Sequence, residues 1–204
     1  MTLVAVDETQ GDKPMKLAVL ISGTGSNLEA LLSALDRSEL PGAEVVIVGA
    51  DREAEGLQHA SIRGIPTFTV PFRDYSSRAL WGEALLEALR ASELDYLILS
   101  GLMRLLPKQV LDAYPNRIIN THPAYLPEFP GAHAVRDALA AGVTETGASV
   151  IEVAPGVDDG PILARERIPV LAGDTEEALH GRIKIVERRL LLQVLKDLQE
   201  KLKR

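Results

Sequence analysis

Apolar residues come in short continuous runs separated by stretches with a helical period, and that alternation sets the fold class. Lys16 to Ser22, Val45 to Val48, Tyr96 to Ser100 and Arg117 to Ile119 are almost unbroken by polar residues, the pattern of strands buried on both faces. Between them, Leu28–Leu32, Glu53–Arg63 and Ser77–Ala91 set apolar positions on one helical face, and Thr67–Val70 reads as a short strand. Ser26 followed three residues later by Glu29 predicts a capping box on the first helix, and Ser76 or Ser77 a cap on the third. Such alternation predicts an α/β fold, a doubly wound, mostly parallel open sheet with helices on both faces.

The pattern changes toward the end. His133–Ala141 reads as a short helix stopped by Gly142. Gly147–Val153 and Ile162–Pro169 read as strands joined only by Pro155–Gly160. No crossover helix fits there, so this C-terminal part is expected antiparallel. Asp174-Thr-Glu-Glu177 opens a long C-terminal helix running to about Lys203. Residues 1–14 are polar and are expected as a flexible leader, with 15–204 forming a single domain.

Composition narrows the class of function. The chain has 204 residues, 46% hydrophobic and 25% charged, with a formal charge of -7. Its basic residues are dispersed until the last helix, so no footprint for a nucleic-acid backbone appears. There is no cysteine, which removes disulfides, thiolate metal sites and a Cys nucleophile. The four histidines lie far apart without metal-ligand spacing, so no metal is expected. No apolar run approaches the ~20 residues that span a bilayer and no signal sequence opens the chain, so a cytoplasmic protein without membrane contact is expected.

Three places along one sheet edge carry chemistry. Gly23-Thr-Gly-Ser-Asn27 lies between the first strand and the first helix, where free N–H groups and the helix dipole favour a phosphate. It lacks the G-K-[ST] of a triphosphate loop and has Leu28 at the third glycine of a dinucleotide fingerprint. Asp51, after the second strand, is placed to read a ribose, which keeps a nucleotide-binding module as an alternative. Asn120-Thr-His-Pro-Ala-Tyr-Leu-Pro-Glu-Phe-Pro-Gly131 follows a buried strand. In extended backbone Asn120 and His122 project to the same side. Prolines 123, 127 and 130 stiffen the segment, and Leu126-Pro127 is a candidate cis bond. Val157-Asp-Asp-Gly-Pro161 adds two carboxylates in a turn. An Asn amide stabilises a developing oxyanion, a His donates to it or shuttles a proton, and an Asp orients the His and accepts a proton through water. These are parts for acyl transfer to an amine, with no serine elbow or thiol for a covalent route.

Asn120-x-His-Pro-x-x-Leu-Pro-x-x-Pro-Gly131, Gly147-x-Ser-Val150, Val157-Asp-x-Gly-Pro-Ile162 and the Ser22–Asn27 loop together resemble the signature of the formyltetrahydrofolate-dependent formyltransferases, from Lys16 through the final helix. The resemblance implies a Rossmann-like formyltransferase fold and 10-formyltetrahydrofolate as co-substrate. It implies Asn120, His122 and Asp158 as the catalytic set, with Asp158 chosen over Asp159 because Gly160 fixes the register of Asp-x-Gly. It implies Gly25, Ser26 and Asn27 at the substrate phosphate and Glu187 at the glycinamide end of a glycinamide ribonucleotide acceptor. Arg78, Met103, Arg104 and Leu106 are implied on the folate side, with backbone groups binding the pterin. One departure stands out: many members carry a histidine where this chain has Ile151. Family members acting on tRNA carry a further C-terminal domain, and a formyltetrahydrofolate hydrolase carries a further N-terminal one; this chain is expected to have neither, which favours the ribonucleotide over those alternatives. Partners are expected to be small-molecule substrates, with the chain a monomer or homodimer.

Overall fold

In the computed structural model, residues 13–203 are described, and the expected leader lies outside them except for Lys13 and Pro14. Strand β1 (Met15–Ile21) is the centre of the molecule. Its side chains alternate between two cores: Leu17, Val19 and Ile21 enter one, Ala18 and Leu20 the other. Burial on both faces is what its continuous apolar run requires.

Around it are β2 (Ala43–Ala50), β3 (Thr67–Thr69), β4 (Tyr96–Leu99), β5 (Ile118–His122), β6 (Glu145–Glu152) and β7 (Ile162–Pro169). The sheet order is β3-β2-β1-β4-β5-β6-β7. Pairing is parallel from β3 through β5 and antiparallel for β5–β6 and β6–β7. The mixed sheet with an antiparallel C-terminal part is as the sequence predicts. One core holds the apolar faces of α1 (Ser26–Asp36) and α6 (Glu176–Leu202). The other holds α3 (Arg78–Arg90), with Trp81 donating from Nε1 to Val70 O at 2.9 Å, and α4 (Lys108–Ala113). Short α2 (Leu57–Ser61) and α5 (Ala134–Ala140) complete the chain. Among the described residues no helix is long and apolar enough to cross a membrane.

Caps decide several boundaries. Ser77 and Thr175 cap α3 and α6, accepting from the N–H groups of Leu80 and Ala178, as their positions before the apolar faces predict. The capping box at α1 does not form. Gly25, at φ 67°, is the N-cap, Ser26 already lies in the helix, and Glu29 turns away to Ser33 and Arg63. Helix α2 is shorter than its expected span 53–63, and the six-residue α4 was not anticipated; its one clear stop signal, Pro107, stands before it.

Candidate active site

Sheets of this kind bind ligands beyond the carboxyl ends of their strands, where the strand order reverses. Here the reversal lies between β1 and β4, and a cavity of about 580 Å³ opens there, lined by the segments after β1, β4 and β5 and by the turn after β6.

Strand alternation at the end of β5 sends Thr121 away from Asn120 and His122. His122 is 4% exposed. Its Nε2 is 2.9 Å from Phe129 O; a carbonyl only accepts, so Nε2 carries the hydrogen. Nδ1 faces Asp158 Oδ2 at 3.3 Å. The Asp158 carboxylate also accepts from Gly131 N–H at 2.8 Å and lies 3.5 Å from Asn120 Nδ2. Asp159, its neighbour, is exposed and lies outside the cavity lining. The structure therefore brings together the three residues Asn120, His122 and Asp158.

The loop that carries Phe129 is tied to β6. Ser149, wholly buried, donates to Ala124 O at 2.7 Å and accepts from Leu126 N–H at 3.0 Å. The Leu126–Pro127 bond is cis, as expected. Ile151 pairs with Asn120 across β5 and β6 and is buried at the cavity wall, so the position noted in the sequence as a departure presents an apolar side chain to the cavity.

Gly25, Ser26 and Asn27 line the cavity at the α1 N-terminus. The Asn27 amide is committed on both sides, donating to Glu187 Oε2 at 3.2 Å and accepting from Arg188 Nε at 3.0 Å. First-turn N–H groups are thus what this end offers an anion. Glu187 lines the cavity but is 3% exposed. Burial pushes its carboxyl above the ordinary value, against hydrogen bonds from Asn27 and Thr121 and the charges of Lys184 and Arg188. His180, also at the wall, is pushed down by burial and by Lys184.

Met103, Arg104 and Leu106, after β4, also line the cavity. Met103 N–H donates to Ser22 Oγ at 2.8 Å, and the Arg104 guanidinium lies 4.4 Å over the Phe72 ring. Asp51 sits beneath. Its burial raises its carboxyl, but hydrogen bonds from Arg52, Ser22 and Arg104 outweigh this and hold it below its ordinary value. At 3% exposure and with these partners, Asp51 is a tie between three loops and is not free to read a ribose. Arg78 is the one expected site residue the structure does not bring to the cavity: it is the exposed first residue of α3. At the cavity wall, sequence reasoning missed Thr121 and Lys184, neither of which carries a local signal. Among the described residues no group of three or more His, Asp or Glu side chains is placed to hold a metal.

Comparison with known proteins decides the family. The formyl transferase family matches residues 15–195. The chain belongs to the formyl transferase family. A phosphoribosylglycinamide formyltransferase of Mycobacterium tuberculosis is 50% identical over 179 residues, covering 88% of this chain and 82% of the relative. A trifunctional purine biosynthetic protein adenosine-3 of Drosophila pseudoobscura is 40% identical over 174 residues, covering 84% of this chain and 13% of that longer protein. The crystal structure of glycinamide ribonucleotide transformylase 1 from Symbiobacterium toebii superposes with a TM-score of 0.89 at 40% identity, covering 94% of this chain and 90% of that one. The sheet order and long last helix described above are thus those of a formyl transferase.

Proposed function

We propose that this formyl transferase moves the formyl group of 10-formyltetrahydrofolate to the amine of glycinamide ribonucleotide, in de novo purine synthesis. The observation that carries this reading is that one cavity is lined by three parts: the α1 N-terminus, the set Asn120, His122 and Asp158, and the 103–106 segment. A phosphate-bearing amine fits the first part and the flat ring of a folate the last, where exposed Met103 and the buried side chain of Leu106 give an apolar wall. Similarity to proteins named for this reaction supports the choice of acceptor.

In the reaction the acceptor nitrogen attacks the formyl carbon. A carbon–nitrogen bond forms, the carbonyl electron pair moves onto oxygen, and collapse breaks the bond to the folate nitrogen. The proton lost by the amine ends on that nitrogen. Asn120 Nδ2 and His122 bear the oxyanion, with the His122 ring held in place through Nε2 by Phe129 O. Asp158, beside both, orients them and carries the proton through water. Gly25, Ser26 and Asn27 hold the phosphate, Glu187 contacts the glycinamide end, and the backbone at Met103, Arg104 and Leu106 holds the pterin. No metal enters. The same reading takes residues 15–204 as one catalytic domain, a monomer or homodimer working in the cytoplasm on small molecules alone.

A spectrophotometric assay of 10-formyltetrahydrofolate consumption, with and without glycinamide ribonucleotide, tests the reading. Turnover that requires the ribonucleotide supports it. Equal turnover without any amine indicates a hydrolase, and turnover only with a different amine indicates another acceptor.

A further inference from the structure

The phosphate-binding loop has no cap of its own. Gly25 stands at the N-cap of α1 in the left-handed region and has no side chain to offer. The loop is held from behind, by α2 and the residues before it. Gly56 N–H donates to Gly23 O at 3.1 Å, and His59 Nε2 lies 3.1 Å from Thr24 O. The contact is close: a Cβ added at Gly25 would stand 2.9 Å from Gly56 Cα and 3.4 Å from His59 Cδ2.

The other ring nitrogen of His59, Nδ1, is 3.0 Å from Glu29 Oε2, in the first turn of α1. Glu29 is held below its ordinary value chiefly by the Arg63 guanidinium, so it faces His59 as a carboxylate. Both partners of the ring are therefore acceptors, and each of the two ring nitrogens reaches one of them. Arg63 closes the set: Nη1 bonds Glu29 Oε2 at 2.9 Å and His59 O at 2.9 Å, and Nε bonds Asp36 at 2.9 Å. The charged groups facing His59 are thus Glu29 from α1 and Arg63 from its own side, while the loop presents only backbone. His59 is not part of the cavity wall and acts through the loop.

We propose that His59 is a positioning residue for the phosphate-binding loop: bridging Thr24 O and Glu29 across the bend at Gly25, it sets the loop against the first turn of α1. The inference rests on the reading of this loop as the holder of the substrate phosphate.

Steady-state kinetics on the full chain test it. His59→Ala raises KM for glycinamide ribonucleotide about tenfold, the scale of a lost charge-assisted hydrogen bond, and leaves kcat and the KM for the formyl donor within about twofold. His59→Arg, with several donors for the same two acceptors, restores the low KM. Should His59→Ala melt too early to assay, His59→Gln keeps one donor for Thr24 O and gives an intermediate KM. An unchanged KM, or an equal rise for both substrates, overturns the proposal. Calorimetric titration with inorganic phosphate separates it from the functional reading: if glycinamide ribonucleotide is not a substrate, about tenfold weaker phosphate binding by His59→Ala still upholds the brace, and equal binding refutes it.

Discussion

His122 Nδ1 and Asp158 Oδ2 stand 3.3 Å apart, and the backbone on both sides of the pair is bent to keep them there. Asp158 has φ 51°, and Phe129, whose carbonyl holds the other nitrogen of His122, has φ 53°. Non-glycine residues in this region cost roughly 1–2 kcal/mol each. Two of them against one imidazole mark a geometry that the rest of the fold stabilises. Asn120→Ala, His122→Ala and Asp158→Asn are each expected to lower kcat by roughly 10²-fold or more, the scale of one lost oxyanion donor or proton-transfer group. The check is turnover with both substrates saturating; near-normal kcat in any variant removes that residue from the mechanism.

Gly25 is irreplaceable for two reasons, its φ of 67° and the 2.9 Å that a Cβ would leave to Gly56 Cα. The neighbouring atom is backbone and cannot swing aside. Gly25→Ala is expected to cost about 1–3 kcal/mol of stability, read by chemical denaturation, and to weaken phosphate binding. A neutral substitution would mean that the loop is looser than this geometry.

Ser149 bonds two buried backbone groups of the loop after β5, Ala124 O and Leu126 N–H. Ser149→Ala leaves both unpaired, at a cost of about 1–3 kcal/mol per buried group. Because that loop carries the carbonyl that orients His122, kcat should fall together with stability. Loss of stability with kcat intact would uncouple the tie from the site.

Burial raises the Glu187 carboxyl above its ordinary value of 4.5. A raised value means that the folded chain binds the proton more tightly than the unfolded one. The associated stability is full below 4.5 and is lost as pH rises through the higher folded value. Glu187→Gln keeps an acceptor for Asn27 and Thr121 and carries no charge. Its thermal midpoint is expected to match the unaltered protein in acid and to exceed it at neutral pH. A variant less stable at neutral pH than in acid, relative to the unaltered protein, would contradict the burial argument.

Much of the fold, and the pairing of Asn120 with His122, is legible in the sequence because both rest on local rules. Runs such as Leu17 to Ile21 and Tyr96 to Leu99 read as strands since double burial admits few polar residues. Asn120 and His122 read as a pair because strand alternation is strict. What local rules miss is set by distant partners. Ser26 and Glu29 have capping-box spacing, but Arg63 recruits Glu29 from the turn after α2 and Gly25 takes the cap. Asp51 has the place of a ribose reader, but Arg52 and Arg104 engage it. Arg78, placed by resemblance alone, stands exposed at the head of α3.

The most direct measurement follows the formyl carbon itself. With carbon-13 in the formyl group of 10-formyltetrahydrofolate and glycinamide ribonucleotide present, nuclear magnetic resonance should show the label passing into a formamide on the ribonucleotide, at a rate abolished by Asp158→Asn. Label appearing as free formate, or a formamide formed equally fast by the Asp158→Asn protein, would contradict formyl transfer through Asn120, His122 and Asp158.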